Sequence, residues 1–249
     1  MTYKILPLLA FAFLSVSTST NAVKETSENK IETVTEKTQL YASNTKSAEA
    51  SFESKAESIY KDLKSLNTTI PQAESFKNAL KGFYLLKEKG LIKKDIITII
   101  DFSISSNKKR LWVIDMVTKK VLYNSLVAHG RNSGNEFATS FSNVGESFKS
   151  SLGFFATGEI YVGKHGKSLR LDGLEKNVND NARSRAVVIH GADYVSESFI
   201  KNNSRLGRSL GCPALPQGLT NEIINLIKDK SCLYIYHPSK TQPIAALVS

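Results

Sequence analysis

Beyond residue 22, the 249-residue sequence has no apolar run that approaches the roughly 20 residues of a membrane-spanning helix. Its histidines, His129, His165, His190 and His237, show no HxH or HExxH spacing, so we expect no metal centre, and no motif indicates another cofactor. The net charge of +10 favours an anionic partner or surface. Nucleic acid is not expected to be that partner, because no helix-turn-helix, zinc-finger spacing or aromatic RNA-binding motif is present.

Residues 1–22 have the pattern of a secretory signal peptide. Lys4 gives the N-terminal region a positive charge, and Ile5–Val16 is an apolar segment that is too short to span a membrane. Thr20–Ala22 forms a small-residue cleavage site. The segment has no cysteine, which excludes a lipoprotein-type acyl anchor. We therefore expect an exported, soluble protein without a membrane span, and the alternative is a buried N-terminal helix.

Two further segments precede the main domain. Residues 23–51 are rich in Ser, Thr, Lys, Glu and Asn and predict a disordered linker. Residues 52–94 predict a helical accessory region, with apolar residues from Phe52 to Leu66 on one helical face and a second helix that begins at Pro71 and ends near Gly90. The two helices either pack on the main domain or form a separate docking module.

Residues 95–238 predict a β-rich domain, followed by a tail at 239–249. Many short strands separated by glycine turns are typical of a mixed or antiparallel β sandwich or barrel. The fold class is therefore mainly β, with N-terminal helices and a short C-terminal helix at Pro216–Lys228. The predicted strands are Ile96–Ile104, Arg110–Met116, Lys120–Ala128, Gly153–Thr157, Glu159–Gly163, Ser168–Leu171, Arg185–Ile189 and Cys232–His237.

A strand that ends in His190-Gly191 and a turn that carries Cys212 predict a nucleophilic site. Cysteine attacks as the thiolate, and a nearby imidazole can take its proton and hold it as an ion pair. Gly211 allows positive φ, and backbone amides there can stabilise an oxyanion. Arg205 and Arg208 are close in sequence and would favour the thiolate. The plainer alternative is a buried cysteine and a structural histidine.

The main alternative to a catalytic role for Cys212 is that it forms a disulfide with Cys232. An oxidising compartment would permit that bridge. Cys232 lies in an alternating segment, Ser231–Tyr236, which predicts a packed strand residue. We therefore expect Cys212 to be free, although the sequence leaves the bridge open.

The stretch IHGADYV…GRSLGCPAL resembles the active-site signature of the murein L,D-transpeptidase (YkuD-like) catalytic domain. The resemblance implies that His190 is the general base and Cys212 the nucleophile, and that Ser209 and Gly211 are the preceding motif residues. Leu210 stands where the family commonly has a second histidine, and Pro213-Ala214 also departs from its pattern, so the sequence looks like a divergent branch. The similarity runs from about Ile96 to His237.

Other polar residues near these motifs are candidates for substrate contacts. The loop that begins at His129 follows a strand and is dense in donors, and the segment 155–170 is basic. The alternatives are an ordinary turn and a solvated loop. The candidate substrate-binding residues are Gly191, Arg208, His129, Arg131, Asn132, Lys164, His165 and Arg170.

The resemblance implies an enzyme that acts on the peptide stems of peptidoglycan. Together with the predicted signal peptide, it predicts a place in the bacterial periplasm or cell envelope, and we expect a monomer. Cys212 would form a thioester with a stem, and an amine would resolve it into a cross-link, whereas water would make the enzyme an L,D-carboxypeptidase. The alternatives are another exported cysteine peptidase and a non-catalytic cell-wall binding module. A zinc enzyme is a weaker alternative, because the histidines lack ligand spacing.

Overall fold

The computed structural model describes residues 47, 49–64, 66, 68–164 and 166–240. The predicted signal peptide, most of the predicted linker and residues 241–249 of the predicted tail lie outside this part of the chain. The chain divides into two compact units, Met1–Ala50 and Ser51–Ser249, and the second unit is the one considered below. None of the helices in the described residues is long and apolar enough to cross a membrane.

Two N-terminal helices of the second unit pack against the sheet. They are α1, which covers residues 51–64 of this unit, and α2 (Ala73–Glu88). The apolar residues of α2 recur every three or four positions, from Phe76 to Leu86, and all of these are buried in one cluster with sheet residues such as Trp112 and Tyr234. The predicted helices are confirmed, and of the two predicted arrangements the structure shows packing on the main domain.

The main domain is an eight-stranded mixed sheet, which confirms the predicted mainly β fold class. The strand order is β3-β2-β1-β8-β4-β5-β6-β7, in which β1–β8 and β6–β7 are parallel pairs and the other neighbours are antiparallel. The strands are β1 (Ile96–Asp101), β2 (Leu111–Asp115), β3 (Lys120–Ser125), β4 (Gly153–Gly163), β5 (Gly166–Gly173), β6 (Val188–Gly191), β7 (Ala214–Leu215) and β8 (Cys232–Tyr236).

Isolated backbone bridges join the two edges of this sheet and bring it close to a barrel. Ala128, just beyond β3, exchanges backbone hydrogen bonds with Ala214 of β7 at 2.9 and 3.3 Å. A second bridge pairs Gly130 with Ser209. As a result, the loop that begins at His129 lies beside the turn that carries Cys212.

The structure differs from the predicted elements in several places. Strand β7 was not predicted, and the predicted strand Arg185–Ile189 corresponds to β6, which begins at Val188 after a turn. The predicted strands Gly153–Thr157 and Glu159–Gly163 form the single strand β4, whose register shifts between Thr157 and Ile160, so Gly158 lies at an irregularity and not in a turn. Helix α3 (Glu197–Asn203) was not predicted, because none of its residues is buried and it lacks an apolar face. Helix α4 (Gln217–Ile227) agrees with the predicted C-terminal helix.

Candidate active site

His190 lies near the end of the buried strand β6, where both neighbouring strands fix its backbone. It pairs with Ser168 of β5 and with Ala214 of β7, and its amide donates to the Pro213 carbonyl at 3.4 Å. The ring nitrogen Nδ1 lies 2.9 Å from the Gly191 carbonyl oxygen. This hydrogen bond forms when Nδ1 carries the proton, and Nε2 then holds the lone pair of a general base.

The Cys212 turn is held by the side chain of Ser209. The Ser209 hydroxyl donates to the Cys212 carbonyl oxygen at 2.6 Å and accepts from the Gly211 amide at 3.0 Å. Gly211 has a φ of +126°, and a Cβ atom there would lie 3.0 Å from the Lys149 carbonyl oxygen. The turn therefore requires glycine at 211.

These bonds correct one part of the predicted oxyanion site. The Gly211 amide donates to Ser209 within the turn, so it does not point at a substrate. Gly211 and Ser209 shape the turn that presents the thiol. The backbone amide that the structure places against the sulfur is that of Val188, which favours the charged form of the thiol.

The surroundings of Cys212 do not make its thiol a resting thiolate. Burial raises the pKa of Cys212 above its usual value, although the Val188 amide and the charges of Arg185 and Lys164 act in the opposite direction. The thiol donates to the Ala186 carbonyl oxygen at 3.7 Å. A neutral thiol at rest means that a base must remove its proton during the reaction.

The cations beside Cys212 are not the predicted ones. Arg185 comes from the segment before β6, whereas the guanidinium of Arg205 donates to the Leu206 carbonyl and that of Arg208 to the Arg131 and Gly134 carbonyls. We predicted that Arg205 and Arg208 would stabilise the thiolate. The structure instead shows Arg185 and Lys164 in that role.

A cleft of about 540 Å³ joins the motif residues. It brings together five predicted site residues: Cys212, His190, Ser209, Arg208 and Lys164. Its walls also contain residues that the sequence analysis did not predict, namely Glu146, Phe148, Tyr161, Arg185, Ala186 and Tyr194. The site therefore combines a thiol, an imidazole, cations and aromatic walls in a single cavity.

Tyr194 is the unpredicted wall residue closest in sequence to the motif. Its ring packs on Gly207, where a Cβ atom would overlap the ring. Burial, followed by the charge of Cys212, raises the pKa of Tyr194 to about 12. Its hydroxyl therefore stays protonated at neutral pH and is a hydrogen-bond donor at the cleft wall.

Both cysteines are free thiols, so the competing disulfide is absent from the described part of the chain. Cys232 is fully buried in β8, and burial strongly raises its pKa, whereas Cys212 is partly exposed in the cleft. We expect iodoacetamide to label Cys212 faster than Cys232 in the folded protein, as measured by peptide mass mapping over time. Equal or reversed rates would contradict the placement of Cys212.

A family model for the L,D-transpeptidase catalytic domain (YkuD_2) matches residues 67–236. The chain belongs to the L,D-transpeptidase catalytic domain family. The match includes α2, which lies N-terminal to the predicted start of the similarity at Ile96. No curated protein sequence matches the chain.

Solved structures with a similar fold include other members of the L,D-transpeptidase family. An L,D-transpeptidase from Mycobacterium smegmatis has 10% sequence identity and a TM-score of 0.37, and the alignment covers 57% of this chain and 59% of that one. An L,D-transpeptidase from Xylanimonas cellulosilytica has 11% sequence identity and a TM-score of 0.35, and the alignment covers 58% of this chain and 61% of that one. The helical cell shape determining protein Pgp2 from Campylobacter jejuni has 14% sequence identity and a TM-score of 0.36, and the alignment covers 63% of this chain and 55% of that one. The chain thus spans less than two thirds of the length of these proteins.

In this L,D-transpeptidase domain, His129 is not available to a substrate. Its ring is 1% exposed, its Nδ1 lies 2.8 Å from an Arg110 guanidinium nitrogen, and its Nε2 lies 3.3 Å from the Gly134 carbonyl oxygen. This burial contradicts the predicted substrate contact of His129. The residue instead supports the Cys212 turn, because its carbonyl oxygen accepts from the Ser209 amide at 3.0 Å.

The buried His129 should make the stability of the domain depend on pH. Burial, followed by the charge of Arg110, lowers the pKa of His129 to about 4, whereas an unfolded histidine has a pKa near 6.5. Below pH 6.5 the unfolded chain binds a proton that the folded ring excludes, so the free energy of unfolding falls until about pH 4. We expect His129 to account for a loss of about 3 kcal/mol over this range.

Urea denaturation at several pH values measures this loss, with the His129→Gln variant as the reference. The stability advantage of the wild type over the variant should shrink as the pH falls from 6.5 to 4. A constant difference between the two proteins would contradict the lowered pKa of His129.

Of the predicted substrate residues in the described part of the chain, only Lys164 and Arg208 line the cleft. Arg131 stacks over the Phe148 ring at 4.2 Å, and the side chain of Asn132 donates to the Ser147 carbonyl at 2.9 Å. Arg170 pairs with Glu159 at 3.1 Å on the β4–β5 hairpin. Gly191 lines a neighbouring cavity, and His165 lies outside the described residues.

Proposed function

We propose that the protein is an exported cysteine acyltransferase that acts on the peptide stems of peptidoglycan, as the family assignment favours. The observation that carries the proposal is that two residues from different segments line the same cleft. His190 lies on β6, and Cys212 lies on the turn that leads into β7. Export depends on the predicted signal peptide and remains an expectation, as does the monomeric state.

The first half-reaction forms a thioester on Cys212. His190 takes the thiol proton at Nε2, and the sulfur attacks the carbonyl carbon between the L-centre of diaminopimelate and the terminal D-alanine of a tetrapeptide stem. The C–N bond breaks, and His190 returns the proton to the leaving amine of D-alanine. The Gly191 carbonyl keeps the imidazole in the tautomer that this sequence of proton transfers needs.

The backbone and side chains of the cleft supply the charge stabilisation. The Cys212 amide is the backbone donor for the oxyanion of the tetrahedral intermediate, since the Gly211 amide is engaged with Ser209. Arg185 and Lys164 place positive charge beside the sulfur while it is anionic. Because burial keeps the thiol neutral at rest, His190 acts as a general base in the attack and not as half of a preformed ion pair.

The second half-reaction releases the acyl group from Cys212. An amine of a second stem attacks the thioester carbonyl, a C–N bond forms, the C–S bond breaks and the electron pair returns to sulfur. The proton that the amine nitrogen loses passes through His190 to the Cys212 sulfur. Attack by water instead gives a shortened stem and makes the protein an L,D-carboxypeptidase. Cys212 is neither bridged nor fully buried and lines the cleft, which supports an enzyme over the binding-module alternative with a bridged or packed Cys212.

Product analysis tests the proposed function against a general cysteine peptidase. We expect the chain without residues 1–22 to convert disaccharide-tetrapeptide into a cross-linked dimer, or into tripeptide and free D-alanine, and to leave casein intact, as followed by liquid chromatography and mass spectrometry. The Cys212→Ala variant should give neither product. Cleavage of casein with no turnover of the stem would contradict the proposal.

A further inference from the structure

A cavity of about 480 Å³ is formed by the same segment that borders the active-site cleft. Residues 139–143 line this cavity, whereas Glu146 and Phe148, a few positions further along the chain, line the cleft. We call it the 139–143 cavity, and its other lining residues are Leu152, Asn177, Val178, Ser239 and Lys240. No lining residue is common to the two cavities, so this is a separate site.

The lining of the 139–143 cavity is polar but offers no unpaired charge. Of the described residues that line it, only Lys240 is charged. The side chain of Lys240 is 8% exposed, and its ammonium nitrogen lies 2.5 Å from a carboxylate oxygen of the buried Glu175. Because this ammonium group is already paired, the cavity favours a neutral polar ligand over an anion. Hydroxyl and carboxamide groups come from Thr139, Ser140, Ser142, Asn143, Asn177 and Ser239.

Three of these polar side chains are available to a ligand. The hydroxyls of Thr139 and Ser140 and the carboxamide of Asn177 have no hydrogen-bond partner within the described part of the chain. The backbone that carries the two hydroxyls is fixed, because the amides of Thr139 and Ser140 both donate to the Ser133 carbonyl, at 2.8 and 3.0 Å. Hydroxyl and carboxamide groups both donate and accept, which matches the hydroxyl groups of a sugar ring.

Apolar side chains complete the 139–143 cavity. They are Phe141, Leu152 and Val178. The Phe141 ring is held by Phe102, at 6.2 Å and nearly parallel, and by His237 at 4.9 Å. An aromatic ring and aliphatic groups can contact the C–H face of a sugar and the methyl of an acetamido group. Together with the free hydroxyls, this lining suits an N-acetylhexosamine.

Arg185 connects the 139–143 cavity to the cleft. It lines the cleft, and its guanidinium donates to the carbonyl oxygens of Ser142 and Lys149, each at 2.8 Å. Since Ser142 lines the cavity, little more than one side chain separates the two spaces. The three stem residues between the sugar and the bond to be broken span about 10 Å when extended. A donor can therefore reach Cys212 while its sugar lies in the cavity.

We propose that the 139–143 cavity binds the N-acetylhexosamine to which the donor stem is attached. This inference rests on the proposed function, because the stem of a peptidoglycan donor carries that sugar. The sugar hydroxyls bond to Thr139, Ser140 and Asn177, and its C–H groups pack on Phe141. Such contacts are equal in the ground state and the transition state, so they strengthen donor binding and leave the maximal rate of acylation unchanged.

Acylation by two donors in the full mature chain tests the proposal. The donors are disaccharide-tetrapeptide and the same tetrapeptide without sugar. In the wild type, half-maximal acylation should need about tenfold less of the disaccharide donor, as expected for one or two neutral hydrogen bonds. The double variant Thr139→Val, Ser140→Ala should lose most of this advantage. Its acylation by the free tetrapeptide, which has no sugar to bind, should stay within about twofold of wild type.

The control is Thr118→Val, which removes a hydroxyl from the turn between β2 and β3 and should behave as wild type. Equal use of the two donors by wild type would overturn the proposal, and so would an advantage that survives in the double variant. A loss on both donors in the double variant would also overturn it, because the hydroxyls would then serve the cleft. Failure of the wild type to form a thioester with either donor would instead contradict the proposed function.

A binding measurement tests the 139–143 cavity independently of turnover. In the Cys212→Ala variant, N,N′-diacetylchitobiose should shift the amide resonances of Ser142, Asn143 and Val178, and the changes Thr139→Val and Ser140→Ala should weaken this binding about tenfold. Cellobiose, which lacks the acetamido groups, should shift these resonances much less. No shifts, shifts confined to the cleft residues Phe148 and Leu210, or equal shifts with cellobiose would overturn the proposed site.

Discussion

The His190→Gln variant is expected to form the Cys212 thioester about 10³-fold more slowly than the wild type. Glutamine preserves much of the side-chain volume but cannot take up the thiol proton near neutral pH. The effect is large because burial holds the pKa of Cys212 above its usual value, so little thiolate is present without a base. The measurement is the rate at which the acylated protein appears after mixing with disaccharide-tetrapeptide.

The matched control is His237→Gln. His237 bonds to the Ser239 hydroxyl at 2.7 Å and is not among the residues that line the cleft, so its variant should acylate at the wild-type rate. Unchanged acylation in His190→Gln would contradict the role of His190. A loss in both variants would point to a general effect of histidine removal.

The second large effect is expected for Arg185→Met. Arg185 lines the cleft and is the first of two cations that lower the pKa of Cys212. Removing its charge should raise the pKa of the thiol further, so labelling at neutral pH should become about tenfold slower. The pH dependence of iodoacetamide labelling at Cys212 measures this shift.

Arg185 also holds a loop of the cleft, so its charge and its hydrogen bonds need separate tests. Its guanidinium donates to the Ser142 and Lys149 carbonyls, each at 2.8 Å. Arg185→Lys keeps the charge but loses the planar set of donors, so its labelling profile should remain closer to that of wild type.

Arg183→Met is the matched control, because the Arg183 guanidinium pairs with Glu159 and Asp172 on the outer face of the β4–β5 hairpin. An unchanged profile in Arg185→Met, or an equal shift in Arg183→Met, would contradict the role of Arg185.

The sequence predicts the parts of this site that are local in the chain. A buried strand that ends in His190-Gly191 and a glycine turn before Cys212 both follow from short patterns. The β2–β3 hairpin and α4 follow from periodicity in the same way. In contrast, Gly158 resembles a turn residue, but lies at an irregularity within β4, and pairing with β5 resumes at Ile160 and continues the strand.

The unpredicted parts depend on contacts between distant segments. Arg205 is closer than Arg185 to Cys212 in sequence, yet Arg185 is the arginine whose charge acts on the thiol, because its segment leads into β6 beside the Cys212 turn. His129 follows a strand like a substrate residue, but the closure of the sheet at Ala128–Ala214 and the buried Arg110 enclose it. No short pattern in the sequence encodes these contacts.

Intact-protein mass spectrometry of the mature chain mixed with disaccharide-tetrapeptide tests the central claim most directly. The account predicts a mass gain equal to the donor minus D-alanine, mapped by peptide analysis to Cys212 and missing from the Cys212→Ala variant. Both thiols remaining unmodified in the wild type, or an adduct on any other residue, would contradict it.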